Sequence, residues 1–329
     1  MKKITRRNTI KGGAALLALS TLSSQNAKIA KAANKQDDLF ISVVSHSDVS
    51  NPFQAVVGRG VDQAAIDFGV RAEYIGPDQI DVIKQIAFID GALAKGADGF
   101  SLMIADPTAM KPKVKEIVDM GIPVILHQGG AQVVDEFRAE CFIGEDSYSS
   151  GVFAAKTLIN DYGCKHVAID NHVPGELNIE VRGEGFRDTA KAAGVKWTEI
   201  ITDVTSPAKT QSIYEAAFQL NPTIDGISGG WCGVSGLAIV PALENLGMLD
   251  KVTVGIMDYT EDYLKLLKKG KVQFTTNLQQ YLMGYLSVAF LTNKIRYGLS
   301  PTGIIKTGPS VINRDNTDNV LKYIKAGSM

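Results

Sequence analysis

The sequence predicts an α/β protein built from two similar doubly wound, Rossmann-like parallel sheets. Three observations predict it. Short β-rich runs alternate with amphipathic segments from Leu39 onward, a second run of the same kind follows the first, and no low-complexity linker divides them. Strands alternating with helix-length segments are the pattern of βα units, in which helices cover both faces of a parallel sheet. Without a linker, strands are expected to run directly from one domain into the other. The cleft between the domains, beside the carboxyl ends of the strands, is then the natural place for a ligand.

In the first run, "LFISVVS" precedes a helix from about Pro52 to Phe68, "VRAEYIG" one from about Ile80 to Lys95, and "GFSLMIA" one from about Thr108 to Met120, before "PVILHQ". The first helix is the best marked. Asn51 suits the N-cap and Pro52 the first helical position, while Phe53, Val57, Val61, Ala64 and Phe68 form one apolar stripe. The second run begins at "CFIGED". Its further strands read "HVAID", "EIITDV", "DGISGG" and "TVGIMD", with helical patterns centred near Phe153, Phe186, Ala216 and Leu243. "VQFTTNL", a helix from about Tyr281 to Tyr297 and a short tail around "GIIKTGPSVI" complete the chain.

Composition is that of an ordinary globular protein: 329 residues, 45% apolar, 21% charged, formal net charge -1. The first 32 residues hold seven basic residues and no acidic one, which leaves 27 basic against 35 acidic residues in the remainder. An acidic body with no basic tract is a poor polyanion binder, so no nucleic-acid partner is expected. Residues 1–32 read as an export signal with Arg6-Arg7, an apolar stretch from Gly12 to Leu22, and Ala30-Lys31-Ala32 as a cleavage site; the segment resembles a twin-arginine signal. Cys141, Cys164 and Cys232 are too few and too scattered for a disulfide framework or a zinc site, and are expected to be small buried thiols.

Polar, carboxylate and aromatic residues recur where the strands end. Ser45 to Asp48 and Asn51-Pro52-Phe53 follow the first strand, Asp106-Pro107-Thr108 the third, and His127-Gln128-Gly129-Gly130 the fourth. In the second run come Asp170-Asn171-His172, Asp203 to Ser206, Gly230-Trp231-Cys232 and Asp258-Tyr259. A polyhydroxylated ligand calls for this inventory, since carboxylates and amides engage adjacent hydroxyls while aromatic faces cover C–H faces. The same residue types also cap helices and make turns at most βα junctions.

Chemical motifs are absent or incomplete. "GISGG" matches a nucleophile elbow, but all four histidines precede Ser228, whereas a hydrolase of that type needs one after it; its glycines are read as a close turn beside a ligand or neighbour. Gly58-x-Gly60 lies inside a helical pattern, so it is no dinucleotide fingerprint. His46, His127 and His172 could converge on the cleft, but without metal-ligand spacing. No catalytic residue, metal or cofactor is expected.

"NPF", "IADPTA", "GIPVIL", "IGEDSYSSGVFAA", "RGEGF", "GIMD" and "GKVQFTTNLQQYLMGY", in that order from about Leu39 to Ile312, resemble the bacterial periplasmic sugar-binding proteins of ABC importers, ribose-binding type. The resemblance implies two lobes, residues 38–144 with 279–307 and 145–278 with 308–329, joined by three crossovers and closing on a ligand. It implies contacts from Asn51, Phe53, Asp106, Gln128, Glu180, Trp231, Asp258 and Gln280, with Asn277 or Gln279 as alternatives to Gln280. His46, His127, His172 and Arg182 are further candidates, Arg182 as a partner for Glu180. Where the ribose-binding pattern has aspartate and two arginines, this chain has Gln128, Gly129 and Glu180, and Trp231 replaces an asparagine. Ribose itself is therefore not the expected ligand. A small neutral hexose, deoxysugar, polyol or cyclitol fits, delivered by a monomeric, non-enzymatic periplasmic receptor to an ABC permease. Receptors of the same fold for autoinducer-2-like or nucleoside-like ligands, and a secreted Rossmann-like enzyme, are the alternatives.

Overall fold

The computed structural model describes residues 38–325; the expected export signal lies outside them. Each of two lobes contains a six-stranded sheet with helices on both faces. The first sheet is ordered β11-β5-β4-β3-β1-β2 and the second β12-β10-β9-β8-β6-β7. Their strands are β1 (Phe40–Val44), β2 (Arg71–Ile75), β3 (Gly99–Leu102), β4 (Val124–His127), β5 (Phe142–Glu145) and β11 (Ile304–Gly308), then β6 (His166–Asn171), β7 (Lys196–Ile201), β8 (Gly226–Trp231), β9 (Thr253–Met257), β10 (Phe274–Asn277) and β12 (Ser310–Asn313). Pairing is parallel except between β10 and β12. β5, which the sequence pattern groups with the second run, lies in the first sheet between β4 and β11.

The helices are α1 (Pro52–Phe68), α2 (Val82–Ala94), α3 (Pro107–Asp119), α4 (Ser147–Lys156), α5 (Leu177–Ala192), α6 (Pro207–Leu220), α7 (Ser235–Asn245), α8 (Glu261–Lys268), α9 (Gln280–Tyr297) and α10 (Thr317–Lys325). The short helices α8 and α10 were not among the sequence expectations. Among the described residues no helix is long and apolar enough to cross a membrane. Alternate residues of β1 feed two cores: Phe40 and Val44 pack under α2 and α3, Ile41 and Val43 under α1 and α9. Such two-sided burial is why these strands read as continuous apolar runs.

The chain passes between the sheets three times, at β5 to α4, β10 to α9, and β11 to β12. The helices that begin after the first two passages pack backbone to backbone on their neighbours. A Cβ at Gly60 or Gly284 would collide with the opposing carbonyl where α1 crosses α9, and one at Gly151 or Gly185 would do so where α4 crosses α5. Glycine alone lets helices approach this closely. That is the role of Gly60 and of the second glycine in "RGEGF", whereas Gly58 faces the side chains of Val49 and Tyr74.

Candidate functional site

Between the lobes, the loops at the carboxyl ends of both sheets enclose a cavity of about 90 Å³. Drug-sized sites run to roughly 300–1,000 Å³, so this one suits a compact ligand. From the first lobe His46, Asn51, Phe53, Gln54, Ile80 and Gln128 line it. His172, Glu176, Asn178, Arg182, Trp231 and Asp258 face them from the second, with Val173, Ile179 and Val204. Glu145, Leu278 and Met283 stand at the passages between lobes.

Asn51 both caps and faces the cavity. Its Oδ1 accepts from the Phe53 amide at 2.9 Å, which leaves the Nδ2 donors for a ligand. Phe53 packs on Met257, Leu278 and Met283, forming an apolar wall. Gln54, the next residue and buried, accepts from Tyr74 Oη at 2.7 Å and donates to Gln128 Oε1 at 3.0 Å. That chain directs the Gln128 amide, whose backbone adopts a left-handed φ of 62°. On the opposite side the β8 ladder shifts register between Gly229 and Trp231. Gly230 passes so close to Asp170 and Ser235 that a Cβ there would overlap both side chains, so the "GISGG" glycines turn beside a neighbour. Ser228 donates to the Gly255 carbonyl at 2.6 Å inside the sheet, and is in no position to act as a nucleophile.

Three of the expected contacts do not line the cavity. Asp106 caps α3, accepting from the Ala109 amide at 3.0 Å. Glu180 braces the β6–α5 loop, accepting from the Gly175 amide at 2.8 Å and Asn171 Nδ2 at 3.2 Å. Gln280 is buried behind Asp258 and donates to its Oδ1 at 3.1 Å. Among the further candidates, His46, His172 and Arg182 line the cavity, whereas His127 is fully buried with Nδ1 2.8 Å from Ser101 Oγ. Arg182 pairs with Glu145, not Glu180. Glu145 and Glu176 are cavity carboxylates that the sequence reading missed. Glu145 ends a strand as Gln128 and Asp258 follow theirs, a signal that could have found it; Glu176 carries none.

Burial dominates the electrostatics. It pushes the Asp258 carboxyl up to about 7, against the opposing pull of Arg182 and with a further rise from Glu145. Glu176 rises to about 7 for the same reasons in the same order. His46 falls to about 4 by burial, and His172 to about 3 by burial and the Arg182 charge, so both imidazoles are neutral near pH 7. Burial lowers Arg182, but Glu145 outweighs it and the guanidinium stays charged. Glu145 also accepts from Ser150 Oγ at 2.7 Å. Arg182 Nε and His172 Nδ1 are buried without a hydrogen-bond partner in the protein. All three cysteines are free and buried. No group of three or more His, Cys, Asp or Glu among the described residues is arranged to hold a metal ion.

An enclosed cavity shared by two lobes, walled by aromatic faces and studded with amides, imidazoles and carboxylates, defines the class of two-lobed small-molecule receptors. The chain belongs to the periplasmic binding protein domain family, whose profile matches residues 41–299. It is 26% identical over 208 residues to the D-ribose/D-allose-binding protein of Pseudomonas aeruginosa, covering 61% of this chain and 64% of that one. The match thus spans just under two thirds of that relative. Over 303 residues it is 24% identical to the ribose import binding protein of Haemophilus influenzae, covering 88% of this chain and 91% of that one. A carbohydrate transporter from Acidothermus cellulolyticus, solved with myo-inositol, shares the fold with a TM-score of 0.79 at 24% identity, covering 89% of this chain and all of that one.

Proposed function

We propose that this protein is the exported solute-binding component of an ABC-type carbohydrate importer. It captures one small sugar or polyol between its lobes and presents the closed form to a membrane permease. The observation that carries the reading is the cavity itself: side chains from the strand ends of both sheets converge on one compact space. A ligand touching both lobes stabilises the closed arrangement through contacts the open form lacks. Asn51, Phe53, Gln128, Trp231 and Asp258 are proposed as ligand contacts, with His46, His172 and Arg182 beside them. Asp106, Glu180 and Gln280 are proposed to support the site from behind. The receptor acts without catalysis, as a monomer, in the periplasm, reached through the twin-arginine route.

A thermal-shift screen of the purified protein against pentoses, hexoses, deoxysugars, amino sugars and cyclitols tests the reading, because a ligand that binds only the folded state raises the melting temperature by mass action. One saturable ligand recovered unchanged is the expected result. Conversion of the sugar, or no shift with any sugar or polyol, would overturn it.

A further inference from the structure

We propose that the cleft selects a sugar or polyol bearing one protonated amino group, which pairs with a cavity carboxylate, Asp258 or Glu176. The inference rests on reading this cavity as a sugar site and replaces the neutral ligand expected from sequence.

Charge balance in a small enclosed space carries it. Three carboxylates, Glu145, Glu176 and Asp258, line the cavity with a single cation, Arg182. Arg182 is only 5% exposed and its guanidinium is committed to Glu145. Asp258 accepts from the neutral Gln280 amide. Glu176 stands at the N-cap of α5 without using its side chain to cap the helix. Among the described residues neither acid forms an ion pair. The two histidines that line the cavity are neutral, so they compensate nothing. Three carboxylates that share one guanidinium in a buried cleft are costly unless protons or a second cation join them.

The rest of the cavity fits the remainder of such a ligand. Arg182 Nε is a buried donor with no protein partner, and His172 Nδ1 is a second unpartnered polar atom; both suit hydroxyl groups. The aromatic faces of Trp231 and Phe53 tolerate a cation as well as a C–H face. A uronate or other sugar acid would meet like charge and be rejected. The charged and titratable groups facing the pair are Glu145, Arg182, His46 and His172, with Cys232 and Tyr259 near Asp258. Since burial holds both acids near 7, an arriving ammonium completes the ionisation of the acid it meets and releases protons to the buffer.

Titration calorimetry of the purified protein with glucosamine, galactosamine, mannosamine and 1-amino-1-deoxysorbitol, each beside its uncharged parent and the N-acetylated hexosamines, tests the inference. At least one amine should bind about tenfold or more tightly than its parent, with a binding enthalpy that changes with the ionisation enthalpy of the buffer. That preference should fall below about threefold in Glu176→Gln or in Asp258→Asn, while circular dichroism shows both variants folded. Parents or N-acetyl forms that bind as tightly as the amines, or a preference that survives both substitutions, would overturn the charge inference and leave the sugar-receptor reading standing. If neither series binds, both fall.

Discussion

Replacing Asp258 by asparagine should stabilise the ligand-free protein while weakening its site. The carboxyl is 8% exposed and its pKa is pushed up to about 7. Measured against an unfolded carboxyl near about 3.9, at about 1.4 kcal/mol per tenfold, ionising it in place costs the fold up to about 4 kcal/mol. Between those two values the folded chain keeps a proton that the unfolded chain has lost, so wild-type stability falls as pH rises through the window. Asparagine does not titrate, can still accept from Gln280 through Oδ1, and tolerates the left-handed φ of 63° at this position. Urea denaturation of the ligand-free protein should therefore show a gain of about 2–4 kcal/mol near about pH 8, shrinking toward zero near about pH 4. The reasoning is refuted if the variant is no more stable at the alkaline end, or if its advantage is the same at both. A stabilising loss of function is the usual sign that a binding group was placed at the expense of the fold.

Other perturbations separate contacts from supports. Trp231→Ala should weaken ligand binding by about tenfold or more and remove most of the ligand-dependent fluorescence change, since Trp197, the other tryptophan, sits under Arg187 and Lys191 on β7. Arg182→Met leaves Glu145 buried beside a single hydroxyl and should cost about 3–5 kcal/mol in chemical denaturation, whereas the double variant with Glu145→Gln should recover much of it. Gly185→Ala and Gly60→Ala should each destabilise by about 1–3 kcal/mol or more, read from the urea midpoint, because the added methyl meets a carbonyl on the crossing helix. Asp106→Ala should cost about 1 kcal/mol of stability as a lost cap and leave the affinity for any ligand within about twofold.

The sequence made α1 legible to the residue, because Asn51, Pro52 and the apolar stripe each report a local constraint. Three of the carboxylate and amide assignments were harder for a common reason. Asp106, Glu180 and Gln280 sit beside the cavity in sequence, yet each spends its side chain on a backbone amide or on Asp258. Which partner a polar group takes is decided by neighbours brought from elsewhere in the chain, and no local pattern records it. Glu145 shows the converse. It stands at a strand end, the position that marks the site elsewhere, and its pairing with Arg182 depends on a helix 37 residues away. The alternation pattern groups β5 with the second run, whereas the lobe bounds implied by the resemblance keep Phe142 to Gly144 in the first; the pattern misleads because the passage between lobes follows the strand rather than precedes it.

The glycine crossings bear on how closure reaches the ligand. α4 starts immediately after one passage between lobes and α9 after another, and each is fused along bare backbone to a helix whose first turns face the cavity, α5 and α1 respectively. Where the glycines cross, no side chain separates the two backbones, so each pair should move as one stiff arm. A small rotation at the base of such an arm would carry Asn51 and Phe53, or Glu176 and Arg182, along with it, so the proposed closure would depend on four residues that have no side chain at all.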